Sequence, residues 1–149
     1  MLKRSGFLLV LSALLPLDLQ AFTCFLTIAK DNCWLNYDVQ VNIADLATSK
    51  VAASVLVPKG QTWSRQVFSC QPAQTFAYSA TFQPIIWQNQ ANVVYRAQKY
   101  WGLPKTIGPN ETAWEMKVCY SGDFTETPLP PESTGHCACD FTVIPPPKP

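Results

Sequence analysis

Leu35-Asn36-Tyr37-Asp38-Val39-Gln40-Val41-Asn42-Ile43 places an apolar side chain at every odd position and a polar one at every even position. A two-residue period is that of a half-buried β-strand, whose successive side chains point to opposite faces of a sheet. The neighbouring segments continue in the same style. Asp45 to Lys50 carries turn chemistry, and Val51-Ala52-Ala53-Ser54-Val55-Leu56-Val57 is a β-branched strand ended by the turn signal Pro58-Lys59-Gly60. Trp63 to Cys70 reads as a third strand closed by Gln71-Pro72. Thr75 to Phe82 alternates again, with Phe76, Tyr78, Ala80 and Phe82 on one face. Pro84 ends that strand or bends it at an edge.

Further along, Ile85-Ile86-Trp87 and Val93-Val94-Tyr95 flank the polar stretch Gln88 to Asn92. Residues 96–102 either extend the second of these or form a loop. Gly102, Pro104, Gly108 and Pro109 mark an irregular stretch. Trp114 to Tyr120 alternates with Trp114, Met116, Val118 and Tyr120 inward, and Gly122 to Gly135 is a Pro, Glu, Thr and Ser loop. Cys137 to Ile144 reads as a last strand, and the proline-rich tail Pro145–Pro149 as extended and solvated. Nowhere do apolar residues recur at helical spacing over helical length. About seven short strands with turns roughly every 8 to 12 residues predict one all-β domain over residues 22–144. The expected architecture is an antiparallel β-sandwich, immunoglobulin-like, or a partly open barrel.

The first 21 residues read as a signal peptide: basic Lys3 and Arg4, the apolar run Gly6 to Leu15, the breaker Pro16, and small Ala21 before the cut. The apolar run is shorter than the about 20 residues a membrane-spanning helix needs, and the mature chain holds no other span. Cys24 raises the alternative of a lipoprotein, but Ala21-Phe22-Thr23 lacks the small residue wanted directly before the cysteine. Lipidation would also leave an odd thiol among six cysteines. Of 11 Lys and Arg and 10 Asp and Glu, the leader takes Lys3, Arg4 and Asp18, leaving nine of each. That balance, without clustered basic residues, gives no sign of a nucleic-acid or anionic-membrane partner.

Cys24, Cys33, Cys70, Cys119, Cys137 and Cys139 imply a disulfide framework in an oxidising compartment, periplasmic or secreted, with or without outer-membrane association. Cys137 and Cys139, at i and i+2, point to one face and should bond two different segments. Cys119 lies on the face opposite Met116 and should bond across an edge or to a loop. Cys24 and Cys33 are close enough to staple the N-terminal segment locally. His136-Cys137-Ala138-Cys139 is the alternative soft-metal ligand set, but His136 is the chain's only histidine and export favours oxidised sulfur, so no metal and no cofactor is expected.

The motifs of nucleophilic, zinc-dependent and phosphate-binding enzymes are missing. The carboxylate pairs Glu111 with Glu115 and Asp123 with Glu126 are the residues a small hydrolase would have to use, and no catalytic residue is assigned. Asn110-Glu111-Thr112 is a glycosylation sequon that suits a surface loop. The surface candidate is the segment from Trp87 to Lys105, where Trp87, Tyr95, Tyr100 and Trp101 accompany Arg96, Lys99 and Lys105. Aromatics with arginine are the residue types of interface hot spots, and aromatic platforms stack on sugar rings. Trp87 and Tyr95 suit a core. Adjacent Tyr100 and Trp101 point opposite ways in a strand, so at least one leaves the core, and Tyr100, Trp101, Arg96 and Lys99 are the expected binding residues.

The stretches from Val39 to Pro72 and Ser79 to Gln88, Lys-Tyr-Trp-Gly-Leu-Pro at 99–104 and the C-terminal C-x-C resemble small exported proteins of Legionella- and Coxiella-like intracellular bacteria. The resemblance implies a periplasmic or outer-membrane-associated protein, one destination being the outer-membrane core of a type IV secretion machine. The functional expectation is a non-enzymatic interaction protein with a protein partner in the cell envelope. A carbohydrate-binding module and a small carboxylate-dependent hydrolase are the alternatives.

Overall fold

The structure, a computed structural model, describes residues 21–133 and 135–149. The expected signal peptide lies outside them except for Ala21. Eight strands are found among these residues: β1 Phe22–Lys30, β2 Asp38–Asp45, β3 Val51–Val57, β4 Trp63–Cys70, β5 Thr75–Gln83, β6 Tyr95–Arg96, β7 Trp101–Gly102 and β8 Ala113–Tyr120. They form two sheets, β4-β1-β8 and β3-β2-β5-β6, with β7 also pairing β5. Apolar faces of both sheets meet in one core, as in a sandwich. No described helix is long and apolar enough to cross a membrane.

The alternating segments behave as their period demands. Val39, Val41 and Ile43 of β2, Val55 and Val57 of β3, and Phe76, Ala80 and Phe82 of β5 are buried, while the residues between them face outward. Trp34 closes one end of the core. It is fully buried in the short 3-10 turn Asn32–Trp34, with its ring 4.6 Å from Phe82 and 5.0 Å from Tyr120.

Several expectations are corrected. The strand expected from Leu35 begins at Asp38, because Asp31 caps the preceding 3-10 turn through the Cys33 N–H. Residues 93–102 supply only the two-residue strands β6 and β7. Cys137 to Ile144 is not a strand either; it is an irregular strap on the outside of the three-stranded sheet. β1, whose sequence carries no alternation, is the centre of its sheet, antiparallel to β4 and parallel to β8.

Burial of β1 on both faces explains that. Leu26 and Ile28 face the core, while Thr27 and Ala29 point outward and are buried all the same. Their cover is Arg65, whose Nε donates to Thr27 Oγ1 (2.8 Å), and the strap, whose Phe141 and Ile144 lie beside Arg65, Glu115 and Lys117. The Pro145 carbonyl accepts from Arg65 Nη2 at 2.7 Å.

Disulfides fix this arrangement: Cys24–Cys70, Cys33–Cys137 and Cys119–Cys139. Cys137 and Cys139 reach two separate segments, as expected, but from an irregular strap and not from one face of a strand. Cys24 and Cys33 do not staple the N-terminus locally. Cys24 sits beside Phe68 near the end of the β1–β4 ladder, within reach of Cys70, and Cys33 lies in the turn that meets the strap. Three such bonds are those of a protein that matures outside the reducing cytosol.

Candidate functional site

The outward face of the five-stranded sheet is built by the even members of β2 and the odd members of β5. Gln40, Asn42 and Ala44 stand beside Thr81, Ser79 and Ala77, with Leu56 and Ser54 of β3 opposite Gln40 and Asn42. None of these side chains is charged and most are small. Gln40 Nε2 donates to Ser54 Oγ (2.9 Å), and Ser54 Oγ donates to Asn42 Oδ1, so the polar groups are held to one another across strands.

The segment 96–100 forms one wall on this face. Arg96 pairs with Ser79, and Ala97 N–H donates to the Tyr78 carbonyl at 2.9 Å. On the other side Gln98 N–H donates to the Asp123 carbonyl and Thr125 N–H to the Arg96 carbonyl, both at 2.9 Å. Gln98 Nε2 adds a bond to the Phe124 carbonyl (3.2 Å). A segment clamped from both sides holds its side chains over the sheet. The result is a cleft of about 450 Å³, floored by Ala44, Ala77 and Ser79 and walled by Leu46, Arg96, Lys99 and Tyr100. This is the size range of small-ligand sites.

Of the four expected binding residues, three meet here. Tyr100 is 69 % exposed and turns to the cleft. Trp101 pairs with inward-facing Phe76, so it packs half-buried against the core and takes no part in the lining. Tyr95 is buried, its hydroxyl donating to Gln90 Oε1 (2.5 Å), and Trp87 packs half-buried on the core. Among the described residues the ion pairs are Arg65–Glu115 (3.2 Å) and Lys117–Glu115 (3.5 Å), and neither Arg96 nor Lys99 at the cleft takes part in one. Below them, burial and then the Asp123 charge push the Tyr78 hydroxyl up, and it stays protonated. Leu46 and Gln98 were not singled out from sequence, because nothing local tells that residues 44–46 and 96–100 lie side by side.

Of the carboxylate candidates, Glu111, Glu115 and Asp123 are committed to structure. Glu111 Oε2 accepts from Gly108 N–H (2.9 Å) and Trp114 Nε1 (3.0 Å), which holds its carboxyl below the ordinary range, while Glu115 is engaged by Arg65 and Lys117. Asp123 accepts from Cys119 N–H at 2.6 Å. Asp31, Cys33 and Cys137 converge within 4.8 Å. The two sulfurs are bonded to each other, however, and the Asp31 oxygens accept from Cys33 N–H and from the Ser121 N–H and hydroxyl. Cys139 is likewise a disulfide, so the C-x-C beside His136 offers no thiolate to a metal. Comparison of the chain with protein-family models, with curated protein sequences and with solved structures finds no match.

Proposed function

We propose that this is a non-enzymatic interaction protein of the cell envelope, an accessory subunit of an outer-membrane-associated assembly of the type IV secretion kind. The observation that carries the reading is the outward face of the five-stranded sheet, where uncharged side chains from Gln40 to Thr81 lie beside Arg96, Lys99 and exposed Tyr100. Interface cores are depleted of charge and enriched in tyrosine and arginine. Exposed Leu46 and Leu56 add apolar area to the same face. The test is co-purification of the tagged protein from detergent-solubilised envelopes, wild type against Ser54→Arg. Arginine planted on this face, where Ser54 bonds Gln40 and Asn42, should abolish recovery of a specific partner while the circular dichroism spectrum is kept. A protein that always runs free, or a partner retained equally by both forms, would sink the proposal.

A second reading, a carbohydrate-binding module, is favoured by Tyr100 standing exposed beside two cations. The backbone of residues 96–98 is already hydrogen-bonded on both sides, so this cleft recognises with side chains and not by adding a strand. Tyr100→Ala is the cleaner probe than Trp101→Ala, which disturbs the core. A glycan screen in which no sugar binds the wild type removes this reading.

A further inference from the structure

Positive charge in the cleft is gathered on one wall and is not neutralised from within the protein. Arg96 and Lys99 stand there, and the lining includes no acidic side chain. Neither cation belongs to an ion pair among the described residues. The acids closest to the cleft are engaged elsewhere or stand apart. Asp45, between floor residue Ala44 and wall residue Leu46, accepts from Ala47 N–H (2.7 Å) and Gln74 Nε2 (2.8 Å). Asp123 accepts from Cys119 N–H. Glu126 and Arg96 both line a neighbouring hollow without pairing.

The rest of the cleft suits an uncharged body. Ala44, Ala77 and Ser79 leave the floor low, with two methyl groups and a hydroxyl, while exposed Tyr100 and Leu46 supply an aromatic ring and an apolar edge at its sides. β2 is paired with β3 on one side and β5 on the other, and residues 96–98 are hydrogen-bonded on both sides. An extended peptide therefore finds no strand edge here to pair with. A sugar ring needs none, because it is held by its faces and by the groups it carries.

Resting on the carbohydrate-binding reading of this cleft, we infer that its ligand is an acidic sugar, a pyranose ring that carries a carboxylate. Each group then has a task. The Arg96 guanidinium donates paired hydrogen bonds to the carboxylate, and Lys99 adds a point charge beside it. The Tyr100 ring covers the apolar face of the pyranose over the alanine floor. An anion entering here displaces no internal partner of either cation, so its attraction to them is reduced only by solvent and salt. A neutral sugar would leave both cations unanswered, and a bare carboxylate would leave the ring and the floor unused.

Titration calorimetry of the disulfide-intact chain tests this with trigalacturonic acid, its fully methyl-esterified form and a peptide of glutamates. The acid should bind. The ester, which keeps the ring and loses the charge, should bind about tenfold more weakly or worse, and the peptide, charge without a ring, should not bind. Arg96→Gln should weaken the acid about tenfold and bring it close to the ester, while Tyr100→Ala should weaken both sugars alike. Both side chains are exposed, so the circular dichroism spectrum should be kept. Lys59→Gln, beside Asp38 at the opposite end of β2, should change neither sugar. Added salt should weaken the acid and not the ester. Equal binding of acid and ester overturns the inference and leaves the carbohydrate reading standing. Binding of the glutamate peptide as tight as that of the acid overturns it as well, since the ring would then count for nothing. Failure of both sugars also overturns it, and the wider glycan screen then decides the carbohydrate reading separately.

Discussion

Lys30 illustrates how much one side chain carries at the end of β1. It is 3 % exposed, and its ammonium donates to the carbonyls of Tyr37 (2.6 Å), Pro58 (2.8 Å) and Val57 (3.4 Å), so three protons meet three acceptors. Burial lowers its pKa from 10.5 to about 8, partly offset by the Asp38 charge. Between about pH 8 and 10.5 the unfolded chain holds this proton and the folded chain releases it, so stability rises with pH there. Tyr37 acts in the opposite sense. Burial, helped by Glu132, pushes it from 10.0 to about 12, so above about pH 10 the unfolded chain ionises first and stability falls. Urea unfolding across this range should therefore show a maximum near pH 10. Lys30→Met should erase the rise and, by leaving buried carbonyls unpartnered, cost about 1–3 kcal/mol at neutral pH. A flat profile in the wild type would contradict this account. Nothing in the sequence set Lys30 apart from other lysines, because its burial depends on the turns of three separate segments converging on it.

At the scale of elements, the strap and the two disulfides that anchor it replace the strand expected from Cys137 to Ile144. Its backbone is held by anchors and not by a ladder: Asn32 Nδ2 donates to the His136 carbonyl (3.1 Å), Ala138 N–H to Asn32 Oδ1 (2.9 Å), and Arg65 to Pro145. Cys33–Cys137 closes 104 residues and Cys119–Cys139 only 20. In the chain-entropy account, removing the long link should cost about 4.7 kcal/mol and the short one about 3 kcal/mol. Paired Cys→Ser variants compared by denaturant unfolding give the order, and equal losses would point to native-state contacts instead. Limited proteolysis of the Cys119→Ser, Cys139→Ser chain should cut first within residues 140–149. The alternating strands β2, β3, β5 and β8 were legible because one of their faces meets the core and the other meets water or a polar neighbour. β1 was not, since a strand covered on both faces loses its alternation.

Across the whole molecule, the parallel pairing of β1 with β8 joins residues 23–30 to 113–120, the two ends of the sandwich in sequence. The sheet has no centre-to-edge pairing on that side until the C-terminal third of the chain is present, and long-range parallel pairing folds slowly. A chain ending at residue 112 should accordingly lack the cooperative near-ultraviolet unfolding transition of the full protein; retention of that transition would show that β4, β1 and the five-stranded sheet suffice. The sequence by itself determined the β-class, the outward and inward members of its alternating strands, the need for Cys137 and Cys139 to find separate partners, and the departure of Tyr100 or Trp101 from the core. Each follows from residues close together in the chain, the alternating strands through their two-residue period and the others through the spacing of neighbouring side chains. Only the tertiary structure decided the disulfide partners, the central place of β1, the strap over its outer face, and the cleft that sets Arg96, Lys99 and Tyr100 opposite Leu46. These rest on contacts between segments tens of residues apart, where burial from both sides or pairing across a sheet leaves no periodic trace in the chain.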